Sequence, residues 1–400
     1  MHIVTSTDIL LPCAEDMGAW SVIACDQFTS EPEYWAEAEK RAAEKPSALS
    51  LMLPEAWLHT ARADGADARI AETMRRYLAE GVFQTIPDSF IYVERTLPDG
   101  RIRRGLIAAL DLEQYDFTGK LSASVRSTEG TVEERLPPRV NIRRGAPLEM
   151  PHTLLLMDDR TDSVLSLAEK AKDALEKVYD FDLMLGGGHI AGWRVSGGTK
   201  AAVQSALDSL DNAALQRKKY GDAAQNGKLT FAVGDGNHSL AAAKRFWEEK
   251  REMLPENERQ TDPARFALVE IENIHEPPLD FEPIHRVIFD TDTSAFAAGL
   301  AVHRAEWEAK DKTLGERVAA AESFCRAYTA AHGGYIDYIH GDDTARALGE
   351  KPNCAAVLLP PVEKSGLFLS VLKNGALPKK SFSMGNARDK RYYLECRKIR

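Results

Sequence analysis

Apolar residues in this chain come in short runs broken by glycine, proline and acidic clusters, and period and length sort the runs into strands and helices. Leu229, Phe231 and Val233 form an apolar run that stops at Gly234 and Gly236, and the helix-forming segment Leu240 to Lys250 follows. This reads as strand, tight loop and helix N-terminus. Ile70, Met74 and Leu78 recur at four-residue spacing and predict a helix over Ala66 to Glu80. Glu33 to Lys45 is rich in helix formers and stops before Pro46. Phe90 to Glu94 and Arg103 to Asp111 flank the turn signal Leu97-Pro98-Asp99-Gly100 and predict a β-hairpin. Further strands are expected near Val22 and over Leu121 to Val125, His152 to Met157, Arg265 to Ile274, Ala355 to Pro360 and Leu367 to Leu372. Helices are expected over Ser163 to Val178, Thr199 to Lys218 and most of Ala295 to Ala331.

This irregular mixture predicts an α+β (mixed α/β) fold rather than a strict βαβ series or a barrel. Residues 1–150 are expected to form an N-terminal mixed part with the hairpin, and residues 151–400 a more helical C-terminal part carrying the Gly234 to Ser239 loop. The soft boundary falls near Met150-Pro151, where no linker composition marks it. The 400 residues are 44% hydrophobic and 28% charged, an ordinary globular composition. A net charge of −10 argues against a broad nucleic-acid surface. No apolar run is long enough to span a bilayer, and no basic-then-apolar leader opens the chain. The five cysteines are scattered with no CxxC pair, which points to a reducing cytoplasm rather than a disulfide or zinc framework.

Val233-Gly234-Asp235-Gly236-Asn237-His238-Ser239 carries the most chemistry. Glycines let backbone approach a ligand, and free N–H groups at a helix start attract anions. Asp235 can hold a metal and His238 can donate to a phosphate. The bland alternative is a tight turn with Asn237 as N-cap. The loop is neither a Walker loop nor a dinucleotide fingerprint. In Arg126-Ser127-Thr128-Glu129-Gly130-Thr131, Glu129 can act as a general base toward a hydroxyl and Arg126 can clamp an anion. The alternative there is a polar turn in which Thr128 or Ser127 caps a helix starting near Thr131. His285 and Arg286 can grip an anion, although neighbours in a strand face opposite ways and structural pairing is the safer reading. Lys379 or Lys380 can neutralise phosphates, against the alternative of a solvated tail. Gly186-Gly187-Gly188-His189 reads as a turn or hinge. Asp26 can belong to a site, and Cys25 has no neighbour in sequence that would activate its thiol.

Taken in order, Ser21 to Gln27, Arg103-Arg104-Gly105-Leu106-Ile107, Arg126 to Thr131 with Arg135, Gly234 to Lys244, Pro283 to Arg286 and Pro378 to Ser381 resemble the DUF1015 family, named for its unknown function. The chain resembles a variant branch of that family. The commoner central loop, Asp-Gly-His-His-Arg, is here Asp235 to Ser239, and the commoner Pro-His-Glu-Arg-Thr is here Ser127 to Thr131. More distantly, the loop is similar to the phosphate-binding strand–loop–helix of the ParB/sulfiredoxin superfamily, which includes nucleotide-dependent kinases of free L-serine.

That resemblance implies a phosphotransferase acting on a small hydroxylated metabolite such as L-serine, with ATP or ADP as phosphoryl donor. Glu129 would then be the base and His238 its catalytic companion at the phosphates. Gly234, Asp235, Gly236, Asn237 and Ser239 would bind phosphate, helped by Arg126, His285, Arg286 and Lys379, with Mg²⁺ held through Asp235. The alternative is a nucleotide-sensing protein without chemistry, for which the Asn237 and Ser239 departures speak. Duplex DNA binding is disfavoured by the acidic charge, and sulfiredoxin-like reduction by the lack of a cysteine in the loop.

Overall fold

In the computed structural model, which describes residues 2–400, the hairpin strands Phe83–Thr96 and Ile102–Asp111 lie at the centre of an eleven-stranded sheet. Their consecutive apolar residues are explained by burial on both faces. Phe90, Tyr92, Leu106, Ala108 and Leu110 enter one hydrophobic cluster, while Ile91, Val93 and Ile107 enter the cluster on the opposite face. Side chains alternate across a strand, so a strand covered on both sides needs an unbroken apolar run.

From one edge the sheet runs Glu176–Asp182, His189–Val195, Phe83–Thr96, Ile102–Asp111, Phe266–Asn273, Leu154–Met157, Phe231–Asp235, Val125–Ser127 and Tyr115–Asp116, and off this path Val4–Thr5 pairs with Ile102–Asp111 and Thr7–Pro12 with Phe83–Thr96. Most pairings are antiparallel, but Phe231–Asp235 runs parallel to Val125–Ser127, with Val233 opposite Ser127. Phe266–Asn273 likewise runs parallel to Leu154–Met157. The mixed α+β class expected from the sequence is therefore the class observed. The helices Leu136–Gly145 and Asn237–Met253 pack on each other over one face, burying Leu240, Ala243, Phe246 and Trp247. A second, four-stranded sheet is built around Phe281–Phe289, with Tyr335–His340, Ala355–Val357 and Phe382–Met384.

The boundary expected near Met150-Pro151 is corrected by this topology. Strands from both sides of it alternate as hydrogen-bonded neighbours in the large sheet, so no division falls there. The predicted strand Leu367 to Leu372 is a helix, Leu367–Asn374, ended by Gly375 at φ +76°. Leu367, Phe368, Val371 and Leu372 are all buried, and Ser370 Oγ accepts a hydrogen bond from Gly315 N at 2.9 Å. A short run that is apolar all round carries no period to separate strand from buried helix. The helix predicted over Ser163 to Val178 covers only Leu165–Ala171, and its end is the edge strand Glu176–Asp182. The strand expected at Leu121 to Val125 begins at Val125 instead. Among the described residues no helix is long and apolar enough to cross a membrane.

The last residues of the chain are stitched into the body of the protein. Tyr392–Tyr393 pairs with Val22–Ile23, and Arg397–Lys398 pairs with Leu148–Glu149. Arg391, 2% exposed, donates to both Glu270 and Glu395, and Glu395 Oε1 also accepts from Tyr179 OH at 2.6 Å. Arg95 donates to the carbonyls of Lys390 and Arg388, each at 2.7 Å, and of Gly187 at 2.8 Å. Gly105 makes room for Glu270, because a Cβ there would lie 2.2 Å from Glu270 Oε1. Removing one partner of a buried ion pair leaves an uncompensated charge. Arg391→Ala is therefore expected to cost about 3–5 kcal/mol, read as a lower denaturant midpoint in chemical unfolding.

Candidate functional site

The parallel register of Phe231–Asp235 with Val125–Ser127 brings Asp235, at the end of its strand, and Glu129, just beyond the other, to the same end of the sheet. A crevice outside the carboxyl ends of parallel strands is where open α/β sheets bind ligands. Here it is a cleft of about 380 Å³, whose walls include Asp26, Glu129, Arg135, Arg139, His152, the Gly234 to Ser239 loop, Lys379, Lys380 and Lys390.

The loop turns at Gly236, whose φ of +75° is left-handed, and a Cβ there would sit 2.8 Å from Thr153 Cα. Gly234 has a different reason to be glycine. A Cβ there would meet Met384 Sδ at 2.5 Å and Leu156 Cγ at 2.9 Å, so it serves packing. The helix starts at Asn237 with Gly236 in the cap position and no side-chain cap. Asn237 is therefore not the N-cap, and its Oδ1 is buried without a hydrogen-bond partner. Thr128 and Ser127 cap no helix either. Thr128 Oγ1 donates to Val233 O at 2.7 Å, and Ser127 Oγ lies 2.9 Å from Tyr115 OH.

Glu129 is gripped by the segment after the last helix. Its Oε1 accepts from Ser381 N at 2.9 Å, while Leu377 N donates to Thr128 O at 2.7 Å and Gly130 N to Leu377 O at 3.3 Å. Burial raises the Glu129 pKa, partly offset by backbone N–H groups of Ser381, Phe382 and Lys380. Between these anchors Lys380 takes a left-handed φ of +59°, a conformation costly for a residue with a Cβ. Ser381 Oγ closes the turn by donating to Pro378 O at 2.6 Å. The turn puts Lys379 and Lys380 on the cleft wall.

The charges around the cleft divide into paired and unpaired groups. Arg139 is paired with Glu55, and Lys390 Nζ lies 3.4 Å from Asp235 Oδ2. Arg135, Lys379 and Lys380 have no carboxylate within salt-bridge distance among the described residues, which leaves three cations near the helix N-terminus. His238 Nε2 accepts from Val132 N at 3.2 Å, so the ring is held neutral with its proton on Nδ1. Its pKa is lowered to about 4, first by burial and then by Arg139 and Arg135. Beneath the loop, buried His152 places Nδ1 2.7 Å from Tyr393 OH, and its Nε2 lies 3.4 Å from Ser239 Oγ and 3.9 Å from Asp26 Oδ2. Burial raises the Asp26 pKa, but His152, Gln27, Lys390 and Arg139 together outweigh it and leave the group lowered. Cys25 is pushed up to about 11 by burial and stays a thiol.

Three residues expected at the site are elsewhere. Arg126 is 4% exposed and donates to the carbonyls of Val371 and Lys228, each at 3.4 Å. It serves the packing of the helix Leu367–Asn374, because strand alternation turns it away from the cleft. His285 accepts from Leu359 N at 3.1 Å through Nδ1 and pairs with Asp342 at 2.9 Å through Nε2. Arg286 pairs with Glu322 at 3.2 Å and stacks over Tyr338. Both are fully buried and belong to the second sheet, although their neighbour Ile284 does reach the cleft. Gly186 to His189 is a turn, with His189 held between Asp180 and Asp182. His152, Arg139 and Lys390 escaped the sequence reading: His152 is a lone histidine after a proline, and Lys390 is one of many basic residues near the C-terminus. Among the described residues no group of three His, Cys, Asp or Glu side chains is placed to hold a metal.

A family model described as a protein of unknown function, DUF1015, matches residues 8–398. No curated protein matches the chain in sequence. Three chains among the solved structures are remotely similar, two of which are as follows. A conserved hypothetical protein from Pyrococcus furiosus is 9% identical, over 73% of this chain and 95% of that one, with a TM-score of 0.33. A free serine kinase in complex with AMP is 9% identical, over 72% of this chain and 90% of that one, with a TM-score of 0.35. At this distance neither likeness bears on the chemistry.

Two outcomes test this geometry. Gly236→Ala forces a left-handed alanine against Thr153 and is expected to destabilise the protein by at least about 1–2 kcal/mol, measured by denaturant unfolding. His238 in the unfolded chain takes up a proton below its ordinary pKa of 6.5, whereas the folded ring resists until about 4. Stability is therefore expected to fall as pH drops from about 6.5 to 4. His238→Gln should make that slope of melting temperature against pH shallower.

Proposed function

We propose that this chain, which belongs to the DUF1015 family, binds nucleotide phosphates at the start of the Asn237–Met253 helix and transfers a phosphoryl group to a small hydroxylated metabolite. The observation that carries this reading is the convergence, in one cleft, of an uncapped helix N-terminus, unpaired cations and a half-buried carboxylate. The helix dipole alone is worth only about 0.3–1 kcal/mol to an anion at the surface, up to about 2 in partly buried geometry. Arg135, Lys379 and Lys380 supply the charge a polyphosphate needs beyond that.

Glu129 is the proposed base. Its raised pKa brings it toward the working range of a general base. The acceptor's hydroxyl proton passes to Glu129, and the acceptor oxygen bonds the terminal phosphorus as that phosphorus loses its bond to the nucleotide. Such transfer asks the protein mainly for positioning and charge neutralisation. Asp235 is the carboxylate that would hold Mg²⁺, whose usual protein share is one or two carboxylates. Its Oδ2 is buried without a hydrogen bond, and Lys390 is its present counter-charge. Bound Mg²⁺ would supply neutralisation of phosphate charge. His238, held neutral by Val132 N–H, serves as a packing and hydrogen-bonding group rather than as a proton donor. L-serine, with ATP or ADP, is the first pair to test, on the loop resemblance noted in the sequence. A cytoplasmic setting accords with five free cysteines.

The second reading is nucleotide binding without chemistry. Its specific support is the neutral His238, which leaves the loop without an acid beside the phosphates.

Phosphorus NMR of the protein with Mg²⁺, ATP or ADP and L-serine or a pool of hydroxylated metabolites is expected to show a new phosphomonoester. Glu129→Gln should lower its rate at least about 100-fold while nucleotide binding by calorimetry persists. Full activity in Glu129→Gln would remove Glu129 as base, and binding without any turnover would favour the sensing reading.

A further inference from the structure

The phosphate cleft does not end at Ser239. A second cavity of about 160 Å³ lies beyond it, and Glu55, Arg139 and Ser239 line both spaces. Its wall is apolar in character, including Met52, Leu53, Leu58, Met74, Ile142 and Leu240. Most polar groups on that wall are already engaged, the buried Arg143 Nε being an exception. Glu149 accepts from Arg397, Arg143 and Leu268 N. Tyr393 OH is shared between His152 Nδ1 and Cys25 N. Arg139 and Glu55 pair with each other at the junction, their side chains 17% and 13% exposed.

We propose that this chamber seats the non-phosphate body of the ligand, and that this body is an aryl or branched alkyl group of about six carbons. The inference rests on the phosphate-binding reading of the cleft and narrows its substrate class. Size supports it, since an apolar cavity of roughly 150 Å³ is the size that takes up benzene. Chemistry supports it too. A hydroxyl-rich or charged group entering the chamber would leave water for a wall most of whose hydrogen bonds are already made, whereas an apolar group loses nothing. Serine, whose side chain is a single hydroxymethyl, would leave the chamber empty. The Arg139–Glu55 pair marks the passage between lobes, placing a cation where a phosphate ester meets its apolar substituent.

The test is calorimetric titration of the full chain with inorganic phosphate, methyl phosphate and benzyl phosphate. Benzyl phosphate is expected to bind about 10- to 100-fold tighter than methyl phosphate, the gain from burying a phenyl-sized group. Two variants fill the chamber without touching the phosphate lobe: Ala243→Phe on the buried helix face and Leu58→Trp on the half-exposed wall. Each should bring benzyl phosphate back to the methyl phosphate affinity and leave methyl phosphate unchanged. Leu58→Trp keeps the test intact if Ala243→Phe fails to fold. Displacement of benzyl phosphate by phenylserine, a hydroxylated amino acid with an aryl side chain, would support the inference and place the seated group in the acceptor; displacement by adenosine, a larger and hydroxyl-rich nucleoside, would overturn the six-carbon apolar assignment. Equal affinities for the two esters, or a benzyl preference that survives both variants, would overturn the inference and leave the phosphate reading standing. Absence of binding by all three anions would overturn the phosphate reading, and the inference with it.

Discussion

Arg391, buried between Glu270 and Glu395, is the interaction on which the arrangement of the cleft depends. Three charges removed from water are tolerable only when each is compensated, and this network holds the residues that compensate one another within one fold. Glu270 sits on a central strand of the large sheet and Arg391 on the final segment, 121 residues later. Closing that link lays the C-terminus across the sheet. Lys390, the neighbour of Arg391, then reaches Asp235, and Tyr393 reaches His152 beneath the loop. The absent side chain at Gly105 and the carbonyl contacts of Arg95 belong to the same construction. The cleft is thus assembled from segments near residues 26, 129, 152, 235 and 380 rather than from one motif.

Much of the fold was legible because it is encoded locally. The hairpin through Leu97 to Gly100 and the strand–loop–helix through Gly236 both follow from period and turn chemistry. Glu129, Lys379 and the loop residues, which line the cleft, stood out because their types cluster in sequence. What failed to show depends on distant contacts. The helix Leu367–Asn374 opens with a buried, mostly apolar run from Leu367 to Leu372, too short for a period to tell it from a strand. Arg126 looked like an anion clamp beside Glu129, yet a three-residue strand sends alternate side chains to opposite faces and sends Arg126 into the packing around Val371. His285 and Arg286 illustrate the same point in the second sheet, where each has found its own carboxylate. The boundary near Met150 failed because strand order within a sheet is a property of topology, which composition does not report.

The electrostatic logic of the cleft is economical. Carboxylates and cations both line it, but the cations include three with no carboxylate partner in reach among the described residues, while Asp235 and Glu55 are each paired. Burial acts in opposite directions on the two groups first assigned to catalysis. It raises Glu129 and lowers His238, moving the carboxylate toward proton acceptance and keeping the imidazole uncharged. On the proposed reading, a neutral ring would leave the neutralisation of phosphate charge to the lysines, Arg135 and the backbone N–H groups.

The central claim is that phosphate lies at the N-terminus of the Asn237–Met253 helix. A crystal structure of the protein with ADP tests it most directly. The account predicts a phosphate group within hydrogen-bond distance of the backbone N–H groups of Asn237, His238 and Ser239, with a Lys379 or Lys380 ammonium beside it. ADP bound with its phosphates away from this helix start, or phosphates held by Arg126, His285 or Arg286 instead, would contradict it.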